Sequence, residues 1–246
     1  PIKRSGLCTT YMQHILRPLL SKRISYEDIC RNPNLEIKVR MFHKVSTHFH
    51  LPGSVAPPLI LIGPGTGVAP FMGFLEHRQQ LTMERRRSGS EDCCMGMWRG
   101  GFEMEEEDLP VECGGVSAFI QTVEPGPIYL FFGCRDENDY LYRSELEEYL
   151  CTRTLTELDV AMSRVGPEKV YVTHKLRERG AEMARLILDD AACIYICGDG
   201  NHMAKDVYAS IKAILVEHGN GMTEESVEAL LQDMKLRRRY ILDIWS

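Results

Sequence analysis

The chain has 246 residues and is 44% hydrophobic, enough for one large domain or one and a half ordinary ones with a real core. Its 29 Lys and Arg against 35 Asp and Glu leave a formal charge of −6, which gives no global support to nucleic-acid binding. No apolar run of about eighteen residues occurs, so no segment reads as a membrane-spanning helix. The nine cysteines are irregularly spaced and include no C-x-x-C pair, which argues against zinc. Several lie in strand-like apolar runs, as expected of reduced thiols in a cytoplasmic enzyme. The chain starts at Pro1 without a methionine, as expected of a segment of a longer protein.

In chain order, Tyr11, Ile15, Leu16 and Leu19 share one helical face, and Thr9 or Thr10 is placed to cap that helix. Leu35–Pro52 alternates like one or two strands. Leu59–Ile62 is a short apolar run closed by Gly63 and reads as a buried parallel strand. A helical pattern follows from about Pro70, with Phe71, Phe74, Leu75 and Arg78 on one face. The stretch from Arg85 to Pro127 has little periodicity, and residues 99–128 read as an insertion forming a surface loop. Strands are then expected at Ile128–Phe132, Leu158–Met162, Cys193–Cys197 and Tyr240–Ile244. Helices are expected at Tyr142–Leu150, at Thr173–Leu188, from about Asn201, and after a capping Thr223. This alternation predicts an α/β fold with a doubly wound parallel sheet, whose ligands bind at the carboxyl ends of the strands.

Three groups of residues at those ends could carry chemistry. Gly63, Gly65 and Gly67 stand between a strand and a helix start, the layout that holds a pyrophosphate. The spacing is not G-x-G-x-x-G, so the same stretch also reads as an ordinary tight turn. Ser163 and Arg164 end the third of these strands, with Lys169 and Tyr171 close behind. A 2′-phosphate needs such cations and a hydroxyl, whereas unphosphorylated NAD calls for an acid near the ribose. Taken singly, Arg164 and Lys169 read better as plain surface charges. Cys197 ends another strand and reads either as a buried small hydrophobe or as a site thiol.

Gly63-Pro-Gly-Thr-Gly-Val-Ala-Pro-Phe71 resembles the NADPH pyrophosphate loop of the ferredoxin-NADP reductase superfamily, in particular its diflavin branch. Gly6-Leu-Cys-Thr9, Phe132-Gly-Cys-Arg135, Ser163-Arg164 with Lys169-Val-Tyr171, Cys197-Gly-Asp199 and Tyr240–Ser246 match the same family in order. The resemblance covers most of the chain outside roughly residues 85–127. It implies a remnant of an antiparallel flavin barrel over residues 1–55 and an NADPH-binding domain over 56–246. It assigns Gly6, Leu7, Cys8 and Thr9 to FAD. NADPH falls to Gly65, Thr66, Gly67, Cys134, Arg135, Ser163, Arg164, Lys169, Tyr171, Val172, Thr173 and Asp206. Cys197 and Asp243 would flank the nicotinamide, and Trp245 would cover the flavin ring. Tyr11 departs from the family, which often has Trp there. The rest of the barrel and an FMN domain are expected before Pro1. His77-Arg78, Gly96-Met-Trp98, Phe131-Phe132 and Phe49-His-Leu-Pro52 most resemble the diflavin reductases that reactivate cobalamin-bound methionine synthase. Another diflavin reductase, or a non-catalytic NADP-binding module, is the alternative.

Overall fold

A computed structural model describes residues 7–22, 48–88 and 124–245. The chain forms two compact units, residues 1–46 and 47–246. In the first, helix α1 (Leu7–Lys22) is described. Thr9 and Thr10 lie inside its first turn, so neither is the cap expected from the sequence. Gly6 and the predicted strand residues 35–47 lie outside the described residues. His48–Pro52, the end of that stretch, is bends and irregular chain rather than strand.

The second unit is built on five parallel strands, β1 (Leu59–Ile62), β2 (Ile128–Cys134), β3 (Glu157–Met162), β4 (Cys193–Asp199) and β5 (Tyr240–Trp245). They lie in the order β3-β2-β1-β4-β5. This is the expected doubly wound sheet. Every residue of β1 and β2 is buried, and all of β4 except Asp199. Strands covered on both faces read as continuous apolar runs, which is why these three are the clearest in the sequence. β3 and β5 are the edges, and their exposed residues break the apolar run.

Alternate strand residues point to two cores. Ile60, Ile62, Phe131, Ala161, Ile194 and Ile196 meet α4 (Val172–Glu178), α5 (Gly180–Leu188), α6 (Met203–His218) and α7 (Glu224–Leu236). Leu59, Leu61, Leu130, Phe132, Tyr195 and Cys197 meet α2 (Ala69–Ser88) and α3 (Arg143–Cys151). On this second side Phe49 stacks on Phe74 with ring centres 5.6 Å apart and meets Tyr195 edge-on, also at 5.6 Å. Tyr195 Oη donates to His50 O at 2.9 Å, and buried Arg78 donates to Val55 O at 2.8 Å. The lead-in to β1 is therefore packed against the sheet and α2.

Two further expectations change. The single helix predicted over Thr173–Leu188 is two helices broken at Arg179. Its guanidinium turns to Asp159 at 3.1 Å, Glu182 at 3.2 Å and Glu157 at 3.5 Å, so long-range ion pairing overrides the local helical pattern. The insertion expected at 99–128 falls outside the described residues up to residue 123. At its far end Gly126 N donates to Val55 O and Leu59 N to Pro127 O, both at 2.9 Å. Ile128 is already the first residue of β2, so the loop ends short of these positions.

Candidate functional site

Reversal of the chain path between β1 and β4 opens a crevice at the carboxyl ends of the strands. Gly63–Thr66 leave β1 there and enter a 3₁₀ turn, Gly65–Val68, before α2 begins. Gly65 has φ +58°, the left-handed region that glycine adopts without strain, and nothing lies within 4 Å of where its Cβ would be. Gly67 is the opposite case. A Cβ on it would lie 2.1 Å from the carbonyl oxygen of Cys197, so the loop seats on the end of β4 only because the side chain is missing.

A cavity of about 810 Å³ opens beside this loop, within the roughly 300–1,000 Å³ typical of ligand sites. Gly65 and Thr66 line it from β1, Cys134 and Arg135 from β2, and Ser163 from β3. Tyr171, Val172 and Thr173 line it from the start of α4, and Asp206 from the first turn of α6. Nine of the nucleotide residues expected from sequence thus share one cavity. Ser163 N donates to Cys134 O at 3.0 Å and Arg164 N to Arg135 O at 2.8 Å. Hydrogen bonding between the two segments therefore runs past the strand ends and joins the backbones of Arg135 and Arg164. Arg164 and Lys169 are exposed near this end without lining the cavity. His174 Nδ1 accepts from Tyr171 N at 3.0 Å, which fixes the turn carrying the half-exposed Tyr171 ring.

Cys197, Asp243 and Trp245 are elsewhere. Cys197 is buried in the core beneath α2, on the sheet face opposite α4 and α6. The register pairs Cys197 with Asp243 and Asp199 with Trp245. Cys197 Sγ stands 3.9 Å from Asp243 Oδ2. Burial first, then the Asp243 carboxylate, pushes the thiol up to about 12. Trp245 is 48% exposed, so it is not a buried anchor of the last strand. The expected residues converge on one edge of the sheet but divide between its faces. Pro64–Gly67 and Gly198 are where the two groups meet, since Gly67 sits on Cys197 O and Pro64 lies beside Gly198. Leu7, Cys8 and Thr9 belong to α1 of the other unit.

Sequence reasoning missed Asn138, Asp139 and His202, which also line the cavity. The signal was available for the first two: Asp-Glu-Asn-Asp directly after a strand end is turn chemistry at a binding edge. A dinucleotide suits what is present, namely a loop with no Cβ in the way, an arginine and a serine on the lining, and a cavity of ligand size.

Residues 61–209 match the family described as the oxidoreductase NAD-binding domain. The chain belongs to this family. It is 32% identical to methionine synthase reductase of Rattus norvegicus over 251 residues, 99% of this chain and 31% of that protein. It is 33% identical to methionine synthase reductase of Homo sapiens over 256 residues, again 31% of the relative. It is 34% identical to the sulfite reductase [NADPH] flavoprotein alpha-component of Pectobacterium atrosepticum over 92% of this chain and 29% of that protein. The chain thus spans under a third of these relatives. The matched residues 61–209 include the glycine loop and all the residues named above as lining the cavity.

Two outcomes follow from this geometry. Gly65→Ala is expected to cost about 1–2 kcal/mol for its left-handed backbone. Gly67→Ala is expected to cost about 3 kcal/mol, the upper end for overpacking, because two backbone segments must separate. Urea unfolding compares them, and equal losses would mean that the Gly67 contact relaxes freely. The raised Cys197 pKa gives stability that is complete below the thiol's ordinary 9.0 and is lost as pH rises toward about 12. Unfolding free energy should accordingly fall between about pH 9 and pH 11, and fall less in Cys197→Ala. An unchanged slope in that variant would show that the thiol contributes nothing.

Proposed function

We propose that this chain is the NADPH-binding part of a flavoprotein reductase that passes hydride from NADPH to FAD. Electrons would then go on through an FMN domain to cobalamin-bound methionine synthase and return it to its active form. The single observation that carries the first step is the pair Arg135 and Arg164. Their backbones are joined at the ends of β2 and β3 and the charges of both act on Asp139, next to a cavity that Arg135, Ser163 and the glycine loop border. Two guanidiniums and a hydroxyl suit a 2′-phosphate, and neither Ser163, Arg164 nor Val165 is acidic. The finer choice of acceptor is supported by similarity to methionine synthase reductases over 99% of this chain. The sulfite reductase flavoproteins are a second reading, favoured by a comparable identity over a slightly smaller share.

Bound nicotinamide and flavin supply the hydride donor and acceptor, and the protein supplies position and charge. Gly65 and Thr66 would border the pyrophosphate, and Tyr171 would stack on the adenine. Asp243 puts a carboxylate beside the place where the nicotinamide becomes cationic. Cys197, neutral because it is buried, is a weak donor held toward Asp243 and takes no covalent part. Trp245 would cover the flavin ring and swing aside for the nicotinamide. The half-exposure of its ring is compatible with that movement.

Titration calorimetry with NADP⁺ and NAD⁺ tests the reading. NADP⁺ should bind more tightly, and Arg164→Ala should remove roughly ten- to a hundredfold of its affinity, as for a charge-assisted contact. Equal wild-type affinities would overturn it. In the full-length protein, Trp245→Ala should tighten nicotinamide nucleotides by up to about tenfold, the scale of one stacked aromatic contact, and narrow the preference for NADPH. Unchanged affinity and preference would remove the covering role.

A further inference from the structure

We propose that Asp139 is a positioning residue of the nucleotide site, holding Arg135 by one edge of its guanidinium so that another edge is left for a phosphate of the dinucleotide. The inference rests on the nucleotide reading above. Arg135 Nε donates to Asp139 Oδ2 and Arg135 Nη2 to Oδ1, the latter at 2.9 Å. A guanidinium carries five N–H donors in a rigid plane. This bidentate pair uses Nε–H and one N–H of Nη2, and Nη1 has no protein partner among the described residues. Both side chains line the cavity.

The pair is mounted on fixed backbone at each end. Arg164 N donates to Arg135 O at 2.8 Å, which ties Arg135 to β3. Asp136 Oδ1 accepts from Asn138 N at 2.9 Å and Asp136 O from Asp139 N at 3.1 Å, which sets the 3₁₀ turn Glu137–Asp139. The ring of Tyr140, next in sequence, packs on Phe132 with centres 5.3 Å apart. Arg143 stands over that ring at 5.1 Å. The Arg135 hydrogen bond, with further help from Arg135 and Arg164 as charges, holds the Asp139 carboxyl below its ordinary value, so it is an anion between two arginines.

Two effects of Asp139 oppose each other. As a negative charge at the cavity it repels a phosphate. As a clamp it removes the rotamer freedom that Arg135 would otherwise lose on binding. The clamp dominates. The relevant scale is that of one long side chain ordered in advance, and the through-space repulsion is screened because both groups are partly exposed.

The test is a double-mutant cycle with Asp139→Asn and Arg135→Ala, titrating NADP⁺ and NAD⁺ into the chain and checking each variant by thermal melting. Asp139→Asn should weaken NADP⁺ about three- to tenfold, and this loss should vanish in the Arg135→Ala background. A loss confined to NADP⁺ assigns the free edge to the 2′-phosphate. An equal loss for NAD⁺ assigns it to the pyrophosphate. Arg135→Lys, which keeps the charge but lacks the fork, should give a comparable loss and serves if Asp139→Asn fails to fold. Tighter or unchanged binding in Asp139→Asn, or a loss that persists without Arg135, would overturn the role. Wild type that binds neither nucleotide would instead fail the nucleotide reading itself.

Discussion

The seating of the glycine loop on the end of β4 is the constraint on which the rest of this structure depends. With 2.1 Å between a would-be Gly67 Cβ and the Cys197 carbonyl oxygen, β1 and β4 can end side by side only if that position has no side chain. That closeness brings the start of α2 to the point where the sheet reverses its winding. It also lets one continuous edge serve two different faces, a cavity on the α4 and α6 side and the Cys197–Asp243 pair on the α2 side. A long two-ended ligand suits such an edge, with its phosphate end and its reactive end held by different parts of the sheet.

Charge is distributed to match. The cations gather at the ends of β2 and β3, where hydrogen bonds beyond the strands join the backbones of Arg135 and Arg164 and Asp139 lies with them. At the β4–β5 end the Asp243 carboxylate stands beside a thiol that burial keeps neutral. An acidic chain of net charge −6 thus gathers cations locally without any global basic character. The ion pairs around Arg179 are a separate structural matter. They tie the break between α4 and α5 to the β3 edge, far along the strand from the cavity end.

Much of this was legible in the sequence for a physical reason. Strands β1, β2 and β4 are buried on both faces, so their composition is uniform and their ends are marked by glycine or turn residues. Thr223 was readable as a cap, and its Oγ1 accepts from Ser226 N at 3.3 Å. The break at Arg179 was not readable, because its partners Glu157 and Asp159 are about twenty residues away in sequence and adjacent only once β3 is placed. The division of the site between two faces was hidden in the same way. Residue parity separates Ile196 from Cys197, but only the register with β5 puts Asp243 beside that thiol. Asp139 was overlooked because no resemblance named it, although its turn chemistry stood at the right strand end.

The central claim is that one dinucleotide spans both faces of the sheet's carboxyl edge. Hydrogen exchange measured by mass spectrometry, with and without saturating NADP⁺, tests it most directly. The account predicts slowed exchange at Gly63–Val68, Gly133–Asp139 and Ser163–Thr173 on one side together with Cys197–Gly200 and Asp243–Trp245 on the other. It predicts that 2′,5′-ADP, which keeps the 2′-phosphate and one phosphate of the pyrophosphate but lacks the nicotinamide half, protects only the first three segments. Protection by NADP⁺ that leaves Cys197–Gly200 and Asp243–Trp245 unchanged, or that centres on α7, would contradict it.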